Sequence, residues 1–517
     1  MNPTGSVTQP CDAGVVNSST NVVPCPARSV PFVLAATILG SSLAFIDGTV
    51  VNVALPALQA DLNATVFDLQ WIIEAYALML AALLLVGGSL GDIYGRKKIF
   101  TFGVIIFAVA SAFCGLARDV HQLIAARALQ GIGAALLIPG SLAIISASFD
   151  RHDRGRAFGT WSAFTSITSA AGPVLGGWLI EHASWHWVFF INLPLAAVVV
   201  VLAVRHVPES RNRPAGQTPD WLGAALATAG LGGIVFAFIE SSVRGWNDPV
   251  VIAALLMGTI ALFAFIAVEK YQPLPLLPLD LFREHNFTGA NLLTLFLYTA
   301  LSATFFFLPM NLIQVQGYTA TAAAAAFLPF IGLMFLLSRW SGSLVNRFGA
   351  RRLLTLGPTV AAIGFGLFAL PPTGITYWSK FFPAIVALGL GMAITVAPLT
   401  TVVMNSVGED RAGIASGVNN AVSRLAAVLA IALFSLVMLA SFNQHLDRYL
   451  ADTNLNFDIR QGINAQRPRL AAMRVADEVR PAVNESFVAG FRLVMWINTS
   501  LGLASAATAW LAIREED

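Results

Sequence analysis

Apolar segments of membrane-crossing length follow one another along this chain so closely that little sequence remains for anything else. They occupy 31–52, 69–89, 98–117, 122–146, 157–180, 187–205, 220–240, 250–270, 288–312, 322–344, 352–371, 378–402, 413–440 and 487–513, about fourteen in all. A helix rises 1.5 Å per residue, so roughly 20 residues cross a hydrocarbon core about 30 Å thick. Inside that core every backbone polar group needs an internal partner, which leaves helices as the structure for segments this long. Only 11% of the residues are charged, against about 25% in an ordinary soluble domain. The chain is therefore an all-α polytopic membrane protein.

The same composition excludes several functions. A net charge of +2 gives no field for binding nucleic acid. Cys11, Cys25 and Cys114 have neither metal nor redox spacing. His182 and His186 are four apart, but no third ligand accompanies them, so no metal is expected. No phosphate-binding Gly-x-x-x-x-Gly-Lys-Ser/Thr loop occurs, so ATP does not drive the chain directly. No cluster of His, Asp or Ser marks a catalytic centre, and no cofactor is expected. Residues 1–30 are polar, without the basic start and apolar core of a secretory signal, and read as a disordered cytoplasmic leader.

Basic residues sort to one side of the spans. Arg96, Lys97 and Lys98 share a side with Arg151, Arg154 and Arg156, with Arg205, Arg211 and Arg213, and with Arg347, Arg351 and Arg352. Short loops on the other side carry only Arg118, Arg244 and Lys380. The positive-inside rule makes the first side cytoplasmic and puts both termini there, in the inner membrane. The polar stretch 441–485 falls outside, with a short amphipathic helix expected near 464–480 and Arg467, Arg469, Arg474 and Arg480 exposed.

The chain also repeats. Gly88-Ser89-Leu90-Gly91-Asp92-Ile93-Tyr94-Gly95-Arg96-Lys97-Lys98 is echoed by Gly342-Ser343-Leu344-Val345-Asn346-Arg347-Phe348-Gly349-Ala350-Arg351-Arg352. Asp153-Arg154 with Gly159 is echoed at nearly the same offset by Asp410-Arg411 with Gly417. Two echoes in register indicate two homologous halves in parallel orientation. The expected organisation is a leader (1–30), a six-helix bundle (31–205), a linker with two extra spans (206–287) and a second six-helix bundle (288–513).

The first glycine-rich turn resembles the loop between helices two and three of the major facilitator superfamily. Asp47-Gly48-Thr49-Val50-Val51-Asn52-Val53-Ala54-Leu55-Pro56 resembles the first-helix signature of its fourteen-span drug:proton antiporters. Arg127-Ala128-Leu129-Gln130-Gly131-Ile132-Gly133 is similar to their fourth-helix motif, and Gly172-Pro173-Val174-Leu175-Gly176-Gly177 to the fifth-helix antiporter motif. Trp185-His186-Trp187 with Phe190, Asn192 and Pro194 resembles their entry to helix six. Thr168 stands where the fifth-helix motif has glycine, which should loosen a packing contact, and His186 replaces an arginine. The tenth-span acids of some relatives have no equivalent between Ala322 and Leu344, which argues against broad transport of dications.

The resemblance implies two bundles with substrate bound between them near the midplane, and proton-coupled export of small amphipathic compounds, cationic or neutral, by a monomer. A proton symporter or facilitator for uptake, or a membrane sensor that no longer transports, remain as alternatives. Carboxylates at membrane depth are costly, and burial lets them take up and release a proton near neutral pH, so Asp47 and Glu74 are the candidate proton carriers. Arg127 needs a buried acceptor, which Asp47 or Glu74 would supply. Asn52, Tyr76, Gln130, Asn311 and Gln314 are candidate cavity residues, with Asn405, Asn419, Asn420, Trp161 and Phe305 as further candidates. Gly88, Asp92, Gly95 and Arg96 would form a latch between the halves, stronger than its echo because Asn346 lacks the charge of Asp92. Gly172, Pro173, Gly176 and Gly177 would allow the close helix contact that seals one face. Arg339 and Arg424 lie near the inner ends of their spans and are expected to snorkel to the surface.

Overall fold

Short, well-capped reversals set the architecture. In the computed structural model, which describes residues 30–149, 151–211, 220–272, 275–370, 377–407, 412–452 and 457–514, α1 (Val30–Asp61) turns directly into α2 (Val66–Tyr94). Thr65 starts α2 with a capping box: its hydroxyl accepts from the Asp68 amide at 3.2 Å, and its amide donates to the Asp68 carboxylate at 2.7 Å. Asp119, Asp220 and Asp248 cap α4 (Val120–Ser148), α8 (Trp221–Arg244) and α9 (Pro249–Tyr271) more simply, each carboxylate accepting from one first-turn amide. Between them lie α3 (Arg96–Gly115), α5 (Arg151–His182), the single turn α6 (Trp187–Phe190) and α7 (Asn192–His206).

The second part comprises α10 (His285–Met310) with a π-helical end at Asn311–Val315, α11 (Ala320–Ala325), α12 (Leu328–Phe348), α13 (Ala350–Phe368) and α14 (Tyr377–Asn405). It ends with α15 (Ala412–Asp452), α16 (Phe457–Gln466) and α17 (Arg480–Ala512). Among the described residues there is no strand, and twelve helical segments are long and apolar enough to cross a membrane. The spans expected at 157–180 and 352–371 are helical here, as α5 and α13, but are not among those twelve.

The expected outer loop is shorter than its sequence limits of 441–485, because α15 carries the helix on to Asp452. Its short helix lies at 457–466 rather than 464–480, and only Arg474 of the four arginines is exposed. Arg467 is held instead by Asp447 and Asn443, and Arg480 donates to the Ala471 carbonyl at 3.0 Å. The side chains of 151–156 and of Gly159 and Asn346, and residues 408–411, lie outside what the structure describes.

The repeat read from the sequence is also a repeat of contacts. Gly95 and Gly349 both adopt positive φ, +116° and +77°, between paired helices. Two residues on, Lys97 donates to the Val204 carbonyl at 3.0 Å in the last turn of α7. At the equivalent place Arg351 donates to the Trp510 carbonyl at 2.8 Å in the last turn of α17, its guanidinium 4.3 Å from the Trp510 ring centroid. Both bases neutralise a helix C-terminus, where unsatisfied carbonyls and the helix dipole favour a cation.

Candidate functional site

Midway along α1, Asp47 is fully buried and both of its oxygens are occupied. Arg127 of α4 places Nη1 2.6 Å from Oδ2, with exposures of 1% for the arginine and 0% for the aspartate. Gln130, one turn along α4 on the same face, donates Nε2 to Oδ1 at 2.8 Å. The side-chain oxygen of Gln130 accepts from Arg127 Nη1 at 2.6 Å, and Arg127 Nε reaches the Ile72 carbonyl of α2 at 3.1 Å. The guanidinium lies over Tyr76 at 4.3 Å from the ring centroid. Gln130 also reaches Ser111 of α3 at 3.3 Å, and Asn192 of α7 donates to the same hydroxyl at 3.0 Å. The first four helices and the sixth span thus converge on one ion pair. Breaking a buried pair by removing one partner strands the other charge, so this link between α1 and α4 needs both of its partners.

Glu74 is also fully buried, and among the described residues neither of its oxygens has a hydrogen-bond partner. A carboxyl so placed has lost its water without gaining a hydrogen bond in return, which is costly. Gln70, one turn earlier, donates to the Ile431 carbonyl of α15 at 3.4 Å, which puts Glu74 on the face of α2 that meets the second half. Of the two acceptors expected for Arg127, Asp47 is therefore the one used.

The other candidate residues divide. Tyr76 and Gln130 belong to the ion-pair cluster. Asn52 donates to the Gly48 carbonyl of its own helix at 2.9 Å. Asn311 is buried and accepts from Gln316 at 3.3 Å. Asn419 ties α15 to α10 through Asn291 and Thr294, at 3.1 and 2.8 Å, and Phe305 packs on Phe327 and Phe330. Gln314 spans the two halves, donating to Gln59 at 2.9 Å. Gln59 donates in turn to the Arg469 carbonyl at 3.2 Å, and Arg469 reaches the Asn63 carbonyl at 3.4 Å. Nearby, Glu181 accepts from the amide and hydroxyl of Thr321 at 2.8 and 2.7 Å. Hydrogen bonds from Thr319 and Thr321 hold the Glu181 carboxyl below its ordinary range. These contacts close the end of the molecule opposite the basic turns.

The glycines of α5 sit where the sequence implied close approach. A methyl group on Gly172 would fall 2.4 Å from Thr49 Oγ1 and one on Gly176 2.2 Å from Val50 Cγ2, both on α1. Gly177 meets the backbone of Ala320, and Pro173 is carried inside α5. Thr168 does not loosen this interface, because its hydroxyl donates to Ser42 of α1 at 2.9 Å.

In the basic turn, Asp92 pairs with Arg96 Nη2 at 2.8 Å, and Arg96 reaches the Ala143 carbonyl of α4 at 3.2 Å. Gly88 lies against Pro139 of α4, and Gly95 leaves room for Glu209. Among the described residues these latch contacts run within the N-terminal half, not across to the other. Glu209 was missed by sequence reasoning, since it lies in a loop remote from the motif. Its two oxygens accept from the amides of Lys97 and Lys98 at 3.1 and 3.2 Å, capping α3 from outside the helix. Glu209→Ala is expected to destabilise the turn by about 0.5–2 kcal/mol, the worth of a helix cap, and faster hydrogen exchange at the Lys97 and Lys98 amides would register it.

Residues 37–431 match the family model for the Major Facilitator Superfamily. The chain is 30% identical over 503 residues to the multidrug resistance protein Stp of Mycobacterium tuberculosis, covering 94% of this chain and 91% of that one. It is 35% identical to the puromycin resistance protein pur8 of Streptomyces alboniger, covering 78% and 81%. Its fold overlays on a bacterial homologue of the human lysosomal transporter Spinster, in an inward-facing, unoccupied conformation, with a TM-score of 0.66 and 20% identity over 94% and 97% of the two chains. With a match across most of its length, this chain belongs to the Major Facilitator Superfamily and is a multi-pass membrane transporter, not an enzyme.

Proposed function

We propose that the chain is a proton-coupled antiporter that exports small amphipathic compounds across the cytoplasmic membrane, with both termini inside and a single copy as the working unit. The observation that carries this reading is the buried Asp47–Arg127–Gln130 network. It joins α1 to α4 through two hydrogen bonds to Asp47, one of them an ion pair that a proton on Asp47 would remove. The resistance and export names of the relatives, Stp and pur8 among them, support the outward direction of transport.

In this scheme a proton from outside reaches Asp47, Glu74 or both, and uncouples Asp47 from Arg127. The freed helices let the two bundles rock about the midplane, and the contacts of Gln59, Gln314, Glu181 and Thr321 reform once substrate has left. Each charge moved through 100 mV supplies about 2.3 kcal/mol. That sustains a gradient of about fifty-fold, at roughly 1.4 kcal/mol per factor of ten.

The test uses everted vesicles and a substrate found by resistance screening in a pump-deleted host. Asp47→Asn should lower proton-driven flux at least a hundredfold and Glu74→Gln at least tenfold, with insertion unchanged and gradient-free counterflow retained. Full proton-driven flux in both variants would overturn the assignment.

A further inference from the structure

Arg424 does not snorkel. Its guanidinium lies 5.9 Å from the ring centroid of Phe45, across the boundary between α15 and α1. Phe45 is two residues from Asp47, about 3 Å along the helix axis, so Arg424 sits at nearly the depth of the buried ion pair. Phe45 belongs to α1 and Arg424 to α15, so this contact places the guanidinium where the two halves meet. Phe45 stands against Trp161 of α5 at 6.4 Å between ring centroids, which gives that space an aromatic wall from the N-terminal half. Asn420, one turn earlier on the same face of α15, is exposed, and Arg424 itself is only half-buried.

Among the described residues the Arg424 side chain has no ion-pair partner and no hydrogen-bond acceptor. Asp47 is not available to it, since both oxygens are taken by Arg127 and Gln130. Glu74 accepts no hydrogen bond from it. A cation at membrane depth is costly and is retained where something pairs with it. Arg127 shows what a resident partner looks like in this protein, and Arg424 has no equivalent.

We propose that the partner of Arg424 is the cargo. The site takes the anionic end of an aromatic amphipath, a carboxylate or an acidic phenolate, with its ring against Phe45 and Trp161. A guanidinium presents a planar fork of donors that fits a carboxylate, whereas the same charge repels a cationic drug. The proposal rests on the reading of the chain as a transporter that binds its cargo between the halves, but not on proton coupling. It departs from the cationic or neutral cargo that family resemblance implies. An anion leaving a cell that is negative inside is also favoured by the membrane potential.

The experiment uses the full chain in proteoliposomes without a proton gradient and follows counterflow of two probes, carboxyfluorescein as the aromatic anion and ethidium as the aromatic cation. Wild type should move carboxyfluorescein in preference to ethidium. Arg424→Gln should lower the ratio of anion to cation transport at least tenfold, and Arg424→Lys, which keeps the charge, should hold it within about threefold of wild type. An unchanged ratio in Arg424→Gln, an equal loss for both probes, or a wild type that moves only ethidium or neither probe would overturn the proposal. Loss of proton-driven flux with counterflow selectivity intact would instead bear on the coupling mechanism alone. A collapsed ratio in Asp47→Asn as well as in Arg424→Gln would count against Arg424 as the selective group.

Discussion

Arg127→Leu is expected to cost about 3–5 kcal/mol of stability and to abolish proton-driven transport, while adding Asp47→Leu restores the stability but not the transport. The single change leaves Asp47 buried with only the Gln130 amide, and an unpaired buried charge is among the most expensive defects a protein can carry. Removing both charges replaces a desolvated pair with apolar contacts, which is often neutral or stabilising. Thermal unfolding of the detergent-solubilised protein should therefore show strong coupling between the two sites, as expected for residues in direct contact. Flux in everted vesicles separates the two roles. A double variant that still exports against a gradient would show that the pair is structural only.

Gly176→Leu should have the next largest effect. The contact between α1 and α5 leaves no room for a side chain, and overpacking of this kind costs about 1–3 kcal/mol. The strain falls on the stretch of α1 that also carries Asp47, so flux is expected to drop at least tenfold while the protein still inserts. Gly332 provides the comparison, because nothing lies within 4 Å of a methyl group built there. Gly332→Ala should be neutral or stabilise by up to about 1 kcal/mol, since alanine is the better helix former. Equal melting temperatures for Gly176→Leu and Gly332→Ala would mean that the α1–α5 contact is looser than its geometry implies.

Much of this was legible in the residues themselves. Apolar spans are a one-dimensional signal set by lipid thickness, and most of them reappear as long helices with small shifts of boundary, twelve of them long and apolar enough to cross a membrane among the described residues. Asp47 and Arg127 could be singled out because a charge inside an apolar run stands out, although their pairing could not, since Glu74 was an equal contender by depth. Polar side chains with ordinary neighbours are harder to read, because the sequence does not show what they bond to. Asn52 and Asn419 are spent on helix contacts, and Gln314 on joining the halves. Arg424 was expected near the inner end of its span, but it lies about 18 Å along α15 from Ala412, deep enough to reach the middle of the bilayer. Its depth depends on which residue of α1 stands opposite, and no periodicity reports that. Glu209 was unreadable for the same reason: a cap supplied from more than a hundred residues away leaves no local pattern.

The twin contacts of Lys97 with Val204 and of Arg351 with Trp510 reach beyond gating. Each runs from a turn near the start of a half to the last helix of that half, so each half is sutured to itself before it touches the other. The connection through α8 and α9 adds to this, since α8 packs on α2 of one half and on α15 of the other. If each half is sutured in this way, two polypeptides divided between α7 and α8 and co-expressed should recover export, and loss of export with both pieces inserted would show that the halves do not fold apart.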